Sequence, residues 1–267
     1  MHHTPTVEFL DHPGYHAAME QLKAEGRVKF TGVSYHGPSR TGQGNMAEVL
    51  TAAAEDGRFD MMLLVYNFMN SEQGEQVLAA CKANNVGATI MKSAPGVLHW
   101  DSFDPTQMTD EQKDFAERYG LRTDDQLRFG SIQWVLQNPD AHTVCISLND
   151  FDNIDRVVGI SGSKLSQADE EMLERLALSV NSRYCRHGCV ECAGACPLEV
   201  PVSRIMRYAY YFGVQGREKH AMSRYANLGG SKASVCQDCS APCDGACPHG
   251  FQIRSQLSKV HSMLTLA

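Results

Sequence analysis

The sequence predicts an α/β protein in two parts, a βα region over residues 1–181 and a small helical domain over 182–267. Three observations carry this. Short apolar runs alternate with amphipathic helical stretches between residues 14 and 180, as parallel βα units require. No strand pattern follows Cys185. Eight of the ten cysteines fall in two runs, "CRHGCVECAGACP" from Cys185 to Pro197 and "CQDCSAPCDGACP" from Cys236 to Pro248.

The elements follow in order. "YHAAMEQLKAEG" reads as a helix closed by Gly26, and "VKFTGVSYH" (28–36) as the first strand. "NMAEVLTAAAEDG" is a helix with Asn45 as N-cap and Gly57 as its stop. "FDMMLLVYNF" (59–68) is nearly all apolar, as expected of a strand buried on both faces. A helix after Ser71 leads to the third strand, "VGATIMKSA" (86–94). "TDEQKDFAERYG" opens on a Thr109/Gln112 capping box, and "TDDQLRFGSIQWVLQNP" is a further helix before the fourth strand, "HTVCISLN" (142–149). "SQADEEMLERLALSV" carries a Ser166/Asp169 box and apolar positions at Met172, Leu173, Leu176 and Val180. Beyond residue 182 only "VSRIMRYAYYFGVQG" and "FQIRSQLSKVHSML" read as helical. Four βα units make half of a (β/α)8 barrel, or a small open sheet with helices on both faces; periodicity leaves that choice open.

Composition narrows the function classes. Hydrophobic content of 43% and charged content of 21% are those of a globular chain. A net charge of −7 argues against nucleic-acid binding. No apolar run reaches the roughly 18 residues of a membrane span. The opening "MHHTPTVEFL" has neither the basic nor the apolar region of a secretory signal, so a cytoplasmic location is expected. Disulfides are correspondingly disfavoured.

The cysteine runs read C-x3-C-x2-C-x3-C-P and C-x2-C-x3-C-x3-C-P. The bacterial two-cluster ferredoxin run is C-x2-C-x2-C-x3-C-P, with the fourth cysteine serving the other cluster. Each run here has one residue more, within "RHG" in the first and within "SAP" in the second. Three thiolates on one loop can grip three corners of a cubane, while the Cys-Pro turn carries the fourth away. The expected grouping is Cys185, Cys189, Cys192 with Cys247, and Cys236, Cys239, Cys243 with Cys196, holding two [4Fe–4S] clusters, or one if a run is degenerate. Structural zinc usually takes two separated C-x2-C pairs and fits less well. "CRHGCVEC" alone has the spacing of enzymes that bind S-adenosylmethionine at an open cluster iron, but those place it ahead of their barrel. Arg204, Arg207, Arg217, Lys219 and Arg224 lie between the runs, either as cations near anionic clusters or as a solvated helix face. Cys81 and Cys145 stand in apolar stretches and are expected to be buried and unreactive.

"AMEQLKAEGRVKFTGVSYH", "FDMMLLVYNF" and "ACKANNVGATIMKSAPG" together resemble the second half of the aldo/keto reductase superfamily, and "VCISLNDFDNIDRVVGISGSKLSQADEEML" resembles its eighth unit. With the cysteine runs, the resemblance is to the subgroup with a C-terminal iron–sulfur domain. It implies the C-terminal half of a (β/α)8 TIM barrel followed by a small α-helical ferredoxin-like domain, with a site at the C-terminal strand ends. It also implies hydride transfer between a nicotinamide and a carbonyl carbon. The family's catalytic Asp, Tyr and Lys come from strands with no counterpart here; its His falls on His2 or His3, and His2 is preferred because it directly follows an apolar residue. Ser34 matches the residue that contacts the nicotinamide amide. Tyr35 stands where an Asn is usual, Leu63 where a Gln is usual, and Lys92 where an aromatic stacks on the ring, as in the iron–sulfur subgroup. No basic pair answers to a 2′-phosphate clamp, which leaves NAD(P) use open beside a flavin or a direct electron path.

Two functions are expected from this. One is an iron–sulfur oxidoreductase acting on a carbonyl, alcohol or sugar-like small molecule. The other is a non-catalytic electron-transfer subunit that docks on a redox partner protein. A half barrel has an exposed sheet edge, so a partner chain or a second copy is expected to cover it.

Overall fold

A computed structural model describes residues 1–37, 44–95, 108–121, 124–148 and 151–266. The chain divides into two compact units, the first formed by Met1–Gly37 with Gly44–Ala177 and the second beginning at Leu178.

The first unit is a mixed α/β assembly around a four-stranded parallel sheet in the order β1-β2-β3-β4. The strands are β1 (Gly32–Ser34), β2 (Met61–Val65), β3 (Gly87–Met91) and β4 (Thr143–Cys145). Before, between and after them run α1 (Pro13–Ala24), α2 (Met46–Glu55), α3 (Glu72–Ala83), α4 (Asp110–Tyr119), α5 (Asp124–Leu136), α6 (Phe151–Gly159) and α7 (Gln167–Val180). The caps are chemical. Asn45 accepts from the Glu48 amide at 2.9 Å to start α2. Thr109 and Gln112 make a full reciprocal box at α4, which Gly120 ends in a left-handed conformation. At α7 the box is half made: Ser166 accepts from the Asp169 amide, but the Asp169 carboxylate takes the Ser166 hydroxyl instead of reaching back to the backbone.

Register sorts the strand residues into two faces. Val33, Met62, Leu64, Ala88 and Ile90 share one face and are all buried; α2 packs on β1 and β2, α3 on β2 and β3, and α5 on β4. The opposite face is mixed: Ser34, Val65 and Met91 are buried, while Met61 is 42% exposed and Thr143 and Cys145 are exposed. Cys145 is therefore not the buried thiol expected from its neighbours. Among the described residues it sits on β4 at the edge of the sheet, paired with β3, and is exposed although its register partner Met91 is buried. Cys81, on α3, is fully buried, and burial pushes its thiol up to about 11. Residues 1–4 run beside the other edge strand: Ser34 donates its amide to the Met1 carbonyl at 3.0 Å, and Thr4 donates to the Ser34 carbonyl at 2.9 Å.

The strands are shorter than their apolar runs. Ahead of β1 the Thr31 amide and hydroxyl turn to the Asp60 carboxylate and the Arg58 carbonyl, and Phe30 is 70% exposed. Helix α6 does not stand out in the sequence because its buried residues reduce to the polar Asn153.

The second unit is helical: α8 (Val202–Gly213), α9 (Glu218–Ala226) and α10 (Ile253–Leu264) pack on one another. Their core includes Ile205, Ala221, Tyr225, Phe251 and Leu257 together with Cys236 and Cys243. Helix α9 is an addition to the two helical stretches expected; its apolar signal is only the pair Ala221 and Tyr225, four residues apart on one face. Among the described residues no helix is long and apolar enough to cross a membrane.

Candidate metal centres

The two cysteine runs fold alike. Each leaves a short 3₁₀ turn and ends in Cys-Pro, whose cysteine carbonyl accepts an amide three residues on: Glu199 to Cys196 and Gly250 to Cys247, both at 3.1 Å. Glu199 and Gly250 both take positive φ, 50° and 68°; glycine adopts this without cost and Glu199 does so under strain. A buried pair then starts the following helix, Val200 and Val202 before α8, Phe251 and Ile253 before α10. This repeated turn aims each fourth cysteine away from its own run.

The eight cysteines divide between two pockets, three and one. The first pocket, about 360 Å³ and partly open to solvent, is lined by Cys185, Cys189 and Cys192 from the first run and Cys247 from the second. Tyr184, Arg186, Glu191, Ser203 and His249 complete much of its wall. The second, about 340 Å³, is lined by Cys236, Cys239, Cys243 and, from the first run, Cys196. Its remaining wall is almost wholly apolar, with Leu198, Val200, Val235 and Leu257, and one arginine, Arg254. Backbone amides point at sulfur here: Val200 donates to Cys196 Sγ at 3.4 Å and Ala241 to Cys239 Sγ at 3.5 Å.

Burial, and then the neighbouring thiols, push Cys185 and Cys192 up to about 12 and Cys236 up to about 11. A bound metal centre would supply positive charge and invert that preference. The donor set and its two-run arrangement fit a [4Fe–4S] cluster in each pocket. Among the described residues no three His, Cys, Asp or Glu side chains are grouped to hold a single metal ion. A mononuclear zinc needs its sulfurs converging to about 2.3 Å from one point, whereas a polynuclear cluster binds each sulfur at a different iron.

The cations beside these pockets are not those that composition singled out. Arg204, Arg207, Arg217, Lys219 and Arg224 line neither. Arg207 instead meets His187 Nε2 at 2.8 Å and lies over the Tyr210 and Tyr211 rings. Arg186 and Arg254 are the arginines in the pocket walls. The signal for Arg186 was its place in the lengthened "RHG" spacer.

In the first unit, His2, Ser34 and Tyr35 meet at the C-terminal end of β1. The His2 ring lies 4.6 Å from that of His36, and Ser34 Oγ accepts the His3 amide at 3.0 Å. Tyr35 is buried, its hydroxyl donating to the Gly44 carbonyl at 2.8 Å; it holds the chain after β1 and does not present itself to a ligand. Lys92 follows β3 in a left-handed conformation, φ 56°, and its carbonyl accepts from Asn67 Nδ2 at 2.9 Å. His36 and Asn67 are thus further polar residues at the same end of the sheet. Of the expected first-unit set, Ser34 and Tyr35 lie at the end of β1, His2 reaches the His36 ring, and Lys92 stands two strands away.

No protein-family model and no curated protein sequence matches the chain.

Proposed function

We propose that the chain is an iron–sulfur oxidoreductase in which the helical unit carries two [4Fe–4S] clusters. The observation that carries this is the exchange of Cys196 and Cys247 between the runs, giving each pocket three cysteines from one and the fourth from the other. Such centres take up and pass single electrons when bound. The chain's own part is to hold eight thiolates, to aim the fourth of each set through a Cys-Pro turn, and to wall the second site almost wholly with apolar side chains.

For the first unit we propose the C-terminal half of a (β/α)8 barrel of the aldo/keto reductase kind, turning over a carbonyl, alcohol or sugar-like substrate. Sequential parallel strands with right-handed crossovers place their helices on one face. The sequential order β1-β2-β3-β4 of the parallel strands supports this over a sheet wound on both sides, where the order reverses. His2, Ser34 and Lys92 lie at the strand ends where such a site belongs.

The exposed β4 favours a second reading, an electron-transfer subunit whose sheet docks on a partner chain and which performs no chemistry on a substrate.

Anaerobically purified protein is expected to be brown, with a broad visible absorbance lost on dithionite addition, and to hold close to eight irons and eight acid-labile sulfides per chain. A colourless protein with one or two zincs and no sulfide would falsify the cluster reading. Loaded protein that passes electrons to a dye but oxidises or reduces no carbonyl, alcohol or sugar would leave the electron-transfer reading in its place.

A further inference from the structure

The two pockets hold the same donors in unlike surroundings. In the wall of the first, Arg186 is only 5% exposed. Its guanidinium is pinned: it donates to the Asn181 and Tyr184 carbonyls, each at 2.7 Å, and to the Asn181 side-chain oxygen, and it lies 5.5 Å over the Tyr184 ring. The second pocket has Arg254 instead, an exposed side chain whose guanidinium donates to the Gln237 carbonyl at 3.3 Å, among Leu198, Val200, Val235 and Leu257.

One electron added to a thiolate-ligated cluster makes its site one charge more negative, with no bond made or broken. A cation held out of water acts on that charge through a low dielectric; an exposed one is screened by water and salt. Fixed charges and hydrogen bonds around the sulfurs set cluster potentials. Amide-to-sulfur bonds do not separate the sites in favour of the first, since Val200 and Ala241 donate in the second. Glu191 at the first pocket is exposed and opposes weakly. Burial itself lowers a cluster's potential, but it strengthens the guanidinium's attraction at the same time. The buried cation decides.

We propose that Arg186 is a positioning residue for charge, making the Cys185/Cys189/Cys192/Cys247 site the higher-potential of the two, so that a single electron rests there and the Cys196/Cys236/Cys239/Cys243 site refills it. This rests on the cluster reading above.

The test is a dithionite titration of the whole, anaerobically reconstituted chain, followed by electron paramagnetic resonance. Two separate one-electron waves are expected. Arg186→Gln lowers the upper wave and closes the gap, Arg186→Lys restores part of it, and Arg254→Gln leaves the upper wave in place. Should Arg186→Gln not fold, Cys189→Ser and Cys239→Ser assign the waves in its stead: Cys189→Ser is expected to alter the upper wave's spectrum and Cys239→Ser the lower's. A single wave of two electrons, an upper wave indifferent to Arg186, or Cys189→Ser altering the lower wave each overturns the inference while the cluster reading stands. Protein with no iron or sulfide overturns both.

Discussion

Asp60 sits where several backbone and side-chain demands meet. Its carboxylate accepts from the Thr31 amide at 2.7 Å and lies 3.3 Å from Lys23 Nζ. The amide bond first, then the lysine, holds its carboxyl below the usual 3.8. Its stabilising effect is therefore fully present above about pH 4 and is lost as pH falls through the lower folded value. Asp60→Asn is expected to remove that part of the acid sensitivity, so the urea midpoint should fall less between pH 5 and pH 3 than in the parent. An unchanged slope would mean the group titrates normally. The side chain is 39% exposed, so the effect is modest. At this scale much was legible. Asn45, Thr109 and Gln112 are caps whose chemistry is local, and they act in the structure as they read in the sequence. Arg186 was not legible in its role, because nothing in "RHG" says that the second run will bring Cys247 to the same wall. Cys145 was misjudged because its apolar neighbours say nothing about which strand lies at the edge of the sheet.

Among the elements, α3 meets the end of β2 most closely at Gly74. A Cβ there would lie 2.6 Å from Tyr66 Cδ2 and 3.2 Å from the Val65 carbonyl oxygen. Alanine favours an isolated helix over glycine by about 1 kcal/mol, yet Gly74→Ala is expected to destabilise by about 1–3 kcal/mol, as overpacking does. A urea midpoint that rises instead would show that the helix gives way easily. The four strands were visible as apolar runs because both ends of a buried strand resemble its middle. Their lengths were not, since side chains such as Asp60 compete with the ladder for backbone donors. Helix α9 escaped notice for the opposite reason: two buried residues on nine are too weak a stripe to stand out.

Across the whole molecule the two units have separate cores, one built on a sheet and one in which Cys236 and Cys243 are themselves core residues. With separate cores the two units are expected to unfold separately. Cluster-loaded protein should show two thermal transitions by calorimetry; iron chelation under reducing conditions should lower or abolish one and leave the other within a few degrees. A single transition that moves as a whole would show that the units unfold together. The sequence made the division visible through the end of its strand pattern, but it left open how a sheet of four strands is covered, because that depends on connection handedness and not on any residue. The exchange of Cys196 and Cys247 between runs has a further consequence. Each pocket draws cysteines from both ends of the segment between the runs, so two bound clusters, if the proposal holds, would act on that segment like a double latch. Loss of iron from either such site would free a fourth cysteine that belongs to the other run, loosen the loop that the other site depends on, and raise the chain entropy available to the whole unit. Damage in air would then spread from the weaker latch to the stronger, and the helical unit would fail as one piece.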